Sequence, residues 1–348
     1  MPVINNEEEN VLNELGDQPD IVLSKITPEQ IRDSLTSDFA ISDLILKQLC
    51  SAVNRGNHII LSGPPGTGKT TLAEALCKAA NKEHTLTTAT ADWTTFDTIG
   101  GYMPNIMEGE NNSLAFEEGL FLKSISERKW LIVDEINRAQ IDKAIGPLFT
   151  VLSDGDVVLP YRNKKTTNRI KILSKNGVSG NDTYYKNDDW RLIATMNEYD
   201  KTTLFDMSYA FMRRFAFIRI GIPENYVTLI KEWSNSKLIN DDLKANLMMI
   251  ASSIEENKLR EIGPAMFKNI INYLAERATI DTDYIQHYSE SIVIYILPQF
   301  QGLDFQDVSK LYEIIETIVE SNSKVKDYLA KNIYAYTGFN VLDNETNI

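Results

Sequence analysis

The chain has 348 residues, 43% hydrophobic and 24% charged, with a formal net charge of −14. These proportions describe a soluble globular protein with room for two domains, and the acidic balance excludes wholesale coating of nucleic acid. No apolar run approaches the ~20 residues of a membrane-spanning helix, and the opening "MPVINNEEEN" lacks a basic, apolar leader, so a cytoplasmic location is expected.

The charge is uneven. Residues 1–44 hold ten acidic side chains against Lys25 and Arg32. Residues 1–38 therefore read as an acidic N-terminal arm, partly disordered, or as a docking element for a basic surface. From Ile41 to Val53 apolar residues recur at helical spacing until Gly56 stops them. Cys50 and Cys77 fall within such patterns and read as buried, reduced thiols. His58, His84 and His287 lack ligand spacing, so no histidine metal site is expected.

Next come "HIILSG", a strand, then glycines, then "KTTLAEALCKAAN", a helix. "TLTTATAD", "KWLIVDE", "RLIATMN" and "RFAFIRI" follow as four further strands, separated by helical stretches such as "AQIDKAIGPLFTVLSDG". Near-continuous apolar strands alternating with helices predict a doubly wound parallel α/β domain with a five-stranded core, ending near Ile222. Beyond Pro223 the 3.6-residue period dominates, which predicts a smaller all-helical domain over 223–345.

The loop "GPPGTGKT" fills the spacing G-x-x-x-x-G-K-[ST] between strand and helix. Glycines let successive backbone N–H groups turn inward around phosphate oxygens, and the next helix presents its positive end to the same anion. Gly63, Pro64, Pro65, Gly66, Thr67, Gly68, Lys69, Thr70 and Thr71 are the expected phosphate-binding residues. Lys69 would reach the β- and γ-phosphates, and Thr70 would hold Mg²⁺. "WLIVDEIN" ends a strand on Asp134 and Glu135 at the edge where such sheets bind ligands. Asp134 is the second magnesium residue, through the ion's water shell. Glu135, turned the other way by strand alternation, would polarise the attacking water. Asn197 ends another strand at the same edge, where its amide would hold that water or sense the γ-phosphate.

"GPPGTGKTTLAEAL", "IGGY", "GLFLKSI", "WLIVDEINRA", "IATMN" and "YAFMRRFAFI" occur in the order seen in AAA+ ATPases. The chain resembles their MoxR and McrB branches and the dynein-related AAA modules, well over Ser37–Ile222 and loosely in the helical lid. The resemblance implies hydrolysis of ATP, with GTP possible, in a head-to-tail homo-oligomeric ring, six subunits being the family's usual number. It also implies a destination for Arg213 and Arg214: one of them enters the neighbour's site and stabilises charge on the transferred phosphoryl group, while the other pairs locally, with Asp206 a candidate. In the lid, Ala265 stands where MoxR-like members place an arginine, with Arg260 and Lys268 as potential substitutes. Residues 94–121 match the hairpin inserted in helix 2 of MoxR-like members, which faces the pore. Residues 157–189, before the fourth strand, hold seven basic and three acidic side chains with Tyr161, Tyr184 and Tyr185 among them. That stretch is a candidate contact for nucleic acid or an acidic protein.

Three functions follow: remodelling of a protein client, such as one with a von Willebrand A domain; a McrB-like nucleic-acid motor serving a separate nuclease in defence; or an assembly switch gated by nucleotide with little motor activity. The domain reading is 1–38 arm, 39–222 nucleotide-binding domain and 223–345 lid.

Overall fold

The computed structural model describes residues 24–104, 114–163, 167–198, 207–224, 226–237, 239–257, 259–319 and 322–342. Two compact units emerge: one formed by residues up to Gly63 with Lys69–Arg219, the other by Pro64–Gly68 with the residues from Ile220 onward.

The acidic arm is folded in its described part. Thr27 and Gln30 form a reciprocal cap that starts α1 (Pro28–Asp33), and Ile26 and Ile31 are buried. Residues 1–23 lie outside the described part, so the expected disorder there is untested. Helix α2 (Asp43–Asn54) begins at Ser42, whose hydroxyl accepts from the Ile45 amide.

The first unit then runs β1 (His58–Gly63), α3 (Lys69–Ala79), β2 (His84–Thr88), α4 (Thr95–Thr98), β3 (Gly100–Pro104), β4 (Leu114–Glu118), α5 (Leu120–Ser126), β5 (Trp130–Asp134), α6 (Ile141–Ile145), β6 (Val157–Arg162), β7 (Arg169–Leu173), β8 (Thr183–Tyr185), β9 (Leu192–Asn197), α7 (Tyr209–Met212) and β10 (Phe215–Arg219). Five strands form one parallel sheet in the order β10-β1-β9-β5-β2. Every residue of β1 is buried, as a strand covered on both faces requires. Register positions the site. Gly63 lies opposite Asn197, Val133 opposite Ala194, and Thr88 opposite Asp134. One step further along, Asp134 and Thr195 come level with each other on adjacent strands, and all the C-terminal strand ends meet at one edge.

Two expectations change and one feature appears as expected. The stretch after Gln140 is not one helix: at Gly146–Pro147 it breaks into short 3₁₀ turns, Gly146–Leu148 and Val151–Ser153. Residues 94–121 contain the antiparallel hairpin β3–β4. Residues 157–189 are no bare loop. They form a separate sheet, β6-β7-β8, which buries Leu159, Ile170, Ile172 and Tyr184 in the unit's core. Lys186 is buried and ion-paired with Asp154 at 2.7 Å, and the Tyr184 hydroxyl donates to Glu118 at 2.8 Å. Both leave the candidate basic face, and Lys164 and Lys165 lie outside the described residues.

The hairpin β3–β4 and the sheet β6-β7-β8 are bonded to each other. The Tyr102 hydroxyl on β3 accepts from the Arg162 amide at 2.8 Å and donates to the Arg162 carbonyl at 3.1 Å. The rings of Tyr102, Phe116 and Tyr161 cluster with centroids 5.1–6.3 Å apart.

The second unit is helical: α8 (Tyr226–Asn235), α9 (Asp241–Glu256), α10 (Pro264–Arg277), α11 (Tyr284–Ser291), α12 (Phe305–Ile318) and α13 (Ser323–Thr337). Its core includes Leu247, Phe267, Ile292, Phe300, Leu311 and Ile333. Helix α11 continues through a π turn, Ile292–Ile296, into a 3₁₀ turn, Leu297–Phe300, where Pro298 supplies no N–H. Among the described residues no helix is long and apolar enough to cross a membrane.

Candidate functional site

Leaving β1, the chain turns through Gly63, Gly66 and Gly68 at φ of 147°, 78° and 82°. These left-handed values strain any residue with a Cβ, which is why glycines stand there. The Thr67 hydroxyl donates to the Pro64 carbonyl at 3.0 Å and braces the loop. Lys69 opens α3, and its ammonium donates to the Gly63 carbonyl at 3.1 Å. Only 6% of Lys69 is exposed. Burial lowers its pKa, while Glu135, Asp134 and Glu198 pull the other way. A buried cation at the mouth of a glycine loop, ringed by carboxylates, suits an arriving phosphate.

Thr70, on the first turn of α3, donates its hydroxyl to Asp134 Oδ1 at 2.7 Å. The Thr195 hydroxyl donates to the same carboxylate oxygen. Strand β5 stops at Asp134. Glu135 is left-handed, φ 55° and ψ 45°, so strand alternation does not set its direction as the sequence suggested. Its amide donates to Thr195 Oγ1 at 3.1 Å. Its carboxylate accepts from Asn197 Nδ2 at 2.7 Å and pairs with Arg138. Asn137 Nδ2 in turn donates to the Asn197 carbonyl at 3.2 Å. Lys69, Thr70, Asp134, Glu135 and Asn197 are thus linked at one edge of one sheet. Thr71, on the same helix turn, is exposed.

The arginine pair divides. Arg213 caps the end of α7 and is exposed. Arg214 Nε donates to the Phe149 carbonyl at 2.7 Å, with the guanidinium 4.9 Å from the centre of that ring. Burial and the neighbouring Arg213 both lower its pKa. Among the described residues Arg214 is therefore held by Phe149 rather than by a carboxylate, and Asp206, the candidate partner, lies outside them.

A family model, AAA domain (dynein-related subfamily), matches residues 58–215, from the first residue of β1 to the first of β10. Those residues are an AAA domain. The chain is 26% identical to the "Type IV methyl-directed restriction enzyme EcoKMcrB subunit" of Escherichia coli K12 over 57% of its own length and 42% of the relative's. It is 25% identical to midasin of Dictyostelium discoideum over 34% of this chain and 2% of midasin. It thus spans less than half of either relative. A Thermotoga maritima RuvB Holliday junction branch migration motor superposes with a TM-score of 0.44 at 14% identity, covering 90% of each chain.

Three members of the AAA domain's network escaped the sequence reading: Thr195, Asn137 and Arg138. Thr195 lies two residues before Asn197 on β9, hence on the same strand face, and that spacing would have found it. Arg138 lies one short turn after Glu135. For magnesium, the donor chemistry fits: the Thr70 hydroxyl and the Asp134 carboxylate are hard oxygens in contact, the sparse set that this ion uses beside phosphate and water.

Within the second unit, the Ala265 amide donates to the Gly66 carbonyl at 3.1 Å. A Cβ on Gly263 would lie 2.3 Å from the Pro65 carbonyl oxygen. Ala265 thus bonds the phosphate loop through its backbone amide, with no side-chain charge to offer. Arg260 donates instead to the carbonyls of Gln299 and Gln301, and Lys268 lies 5.8 Å from the Trp233 ring centre.

Proposed function

We propose that the chain hydrolyses ATP with Mg²⁺ as a ring of copies, six by family analogy, and couples hydrolysis to remodelling a separate protein client in the cytoplasm. One observation supports this above the rest: parallel register brings Asp134, Glu135 and Asn197 to the sheet edge where the first turn of α3 presents Lys69 and Thr70, with Thr70 bonded to Asp134 and Asn197 to Glu135. Gly63–Thr71 bind the phosphates. Thr70 and Asp134 hold the magnesium ion, which when bound would neutralise phosphate charge. Asn197 senses the γ-phosphate by exchanging its bond to Glu135 for one to the ligand, which frees Glu135 to take the water's proton. Arg213, the exposed member of the pair, enters the neighbour's site, and Arg214 fixes the geometry behind it. The helical unit from residue 223 onward serves as the lid.

The match to a restriction-enzyme subunit favours a second reading: the ring, using ATP or GTP, drives a nucleic-acid task for a separate nuclease. The exposed Arg162, Arg169 and Lys171 would meet phosphates there. Turnover with ATP and GTP, each with and without DNA, decides. Stimulation by DNA that fades with salt supports the motor, and turnover indifferent to DNA supports the protein remodeller. A Glu135→Gln protein that still turns over at the wild-type rate refutes both.

A further inference from the structure

Strand β10 is an edge of the five-stranded sheet. Between it and α2 runs a groove of about 840 Å³, lined in part by Leu44, Lys47, Ser51, Arg55, Phe217 and Arg219. Leu44 is 65% exposed and Phe217 42%. Large apolar side chains beside an open strand edge form a surface that proteins normally cover. The groove is also cationic. Lys47 and Arg55 are exposed and make no ion pair among the described residues, while Arg219 pairs with Glu198 at 3.1 Å.

The chain itself contains a ligand of the opposite character. Residues 1–23 hold Glu7, Glu8, Glu9, Glu14, Asp17 and Asp20 with no lysine or arginine, and Val11, Leu12, Leu15 and Ile21–Leu23 stand among them. This segment starts from a fixed point at the groove's wall. The Asn54 amide group both accepts from the Ile26 N–H and donates to the Ile26 carbonyl, at 2.9 Å each, one residue before Arg55. From there the residues back to Glu7 reach up to ~65 Å, and the whole of α2 is only ~18 Å long. A tether this short holds the ligand at an effective concentration on the order of millimolar.

We propose that the acidic segment Glu7–Asp20 docks in the groove of its own chain, its carboxylates against Lys47 and Arg55 and its apolar side chains over Leu44 and Phe217. Docking closes the edge of β10 to foreign strands. A neighbouring copy's segment, or an acidic peptide of another protein, would compete for the same place.

The test uses the full-length chain with a photo-crosslinking phenylalanine analogue at Ser51, prepared as an equal mixture of ¹⁴N and ¹⁵N protein. Peptide mapping after irradiation is expected to find residues 7–23 joined to position 51 within one isotope. Lys47→Glu with Arg55→Glu should reduce that product about fivefold or more at low salt, and added Glu7→Lys, Glu8→Lys and Glu9→Lys should restore it. The restored pair also shows that the variants fold. Mixed-isotope products would assign the groove to a neighbouring copy. Those products, crosslinks to another protein or another part of the chain, or yields indifferent to charge reversal each overturn the proposal.

Discussion

Thr195→Val tests whether the two acidic residues share one anchor. The Thr195 side chain is 2% exposed, donates to Asp134 and accepts from the Glu135 amide. Valine keeps the shape and deletes both bonds. An amide left without an acceptor costs about 1–3 kcal/mol, and a lost hydrogen bond to a charged group about 1.5–3 kcal/mol. The added methyl returns about 0.8 kcal/mol. A net loss of about 2–5 kcal/mol corresponds to a Tm lower by about 4–20 °C for a domain of this size. Thr195→Ser keeps the hydroxyl and loses a single methyl, about 1 kcal/mol. Thermal unfolding followed by circular dichroism measures both, and steady-state turnover should fall at least about tenfold for valine, since roughly 1.4 kcal/mol of misplacement suffices. If valine melts no lower than serine, the shared anchor is refuted.

Four further outcomes are expected. Arg213→Ala should leave Tm unchanged and reduce turnover by about 10³–10⁵, whereas Arg214→Ala, losing the Phe149 carbonyl and ring, should cost about 1–2 kcal/mol in urea unfolding. Equal melting of the two variants would contradict the division of the pair. Gly263→Ala places a methyl against the Pro65 and Gly66 backbone. Overpacking of about 1–3 kcal/mol should weaken ATP, titrated by calorimetry, about tenfold or more. Burial pushes the Cys77 thiol up from 9.0 to about 12, so iodoacetamide at mildly alkaline pH should label it only after urea is added. The linkage has a definite sign: a folded pKa above the unfolded one contributes stability below about pH 9, and that contribution is lost as the pH rises toward 12.

The phosphate loop, the five parallel strands and the placement of Asp134 were legible because each is a local pattern: glycine spacing, an apolar run, a carboxylate at its end. Glu135 was legible as a residue but not as a conformation, because its left-handed backbone follows from the contacts of Thr195, Asn197 and Arg138, two of them some sixty positions away. The residues from 157 to 189 showed in the sequence as a basic stretch and not as strands, because their strands are short and, in β7, charged residues alternate with the buried ones. Lys186 counted as surface charge until Asp154 came beside it. The choice between Arg213 and Arg214 was equally hidden, since a carbonyl acceptor at Phe149 leaves no mark in composition.

The Tyr102 hydroxyl, shared with both backbone groups of Arg162, has a mechanical consequence. The hairpin and the three-stranded sheet are thereby pinned to one another at one side chain, and Tyr102→Phe removes both bonds at once. Grafting either piece alone into a relative would leave the Tyr102–Arg162 bonds unmade.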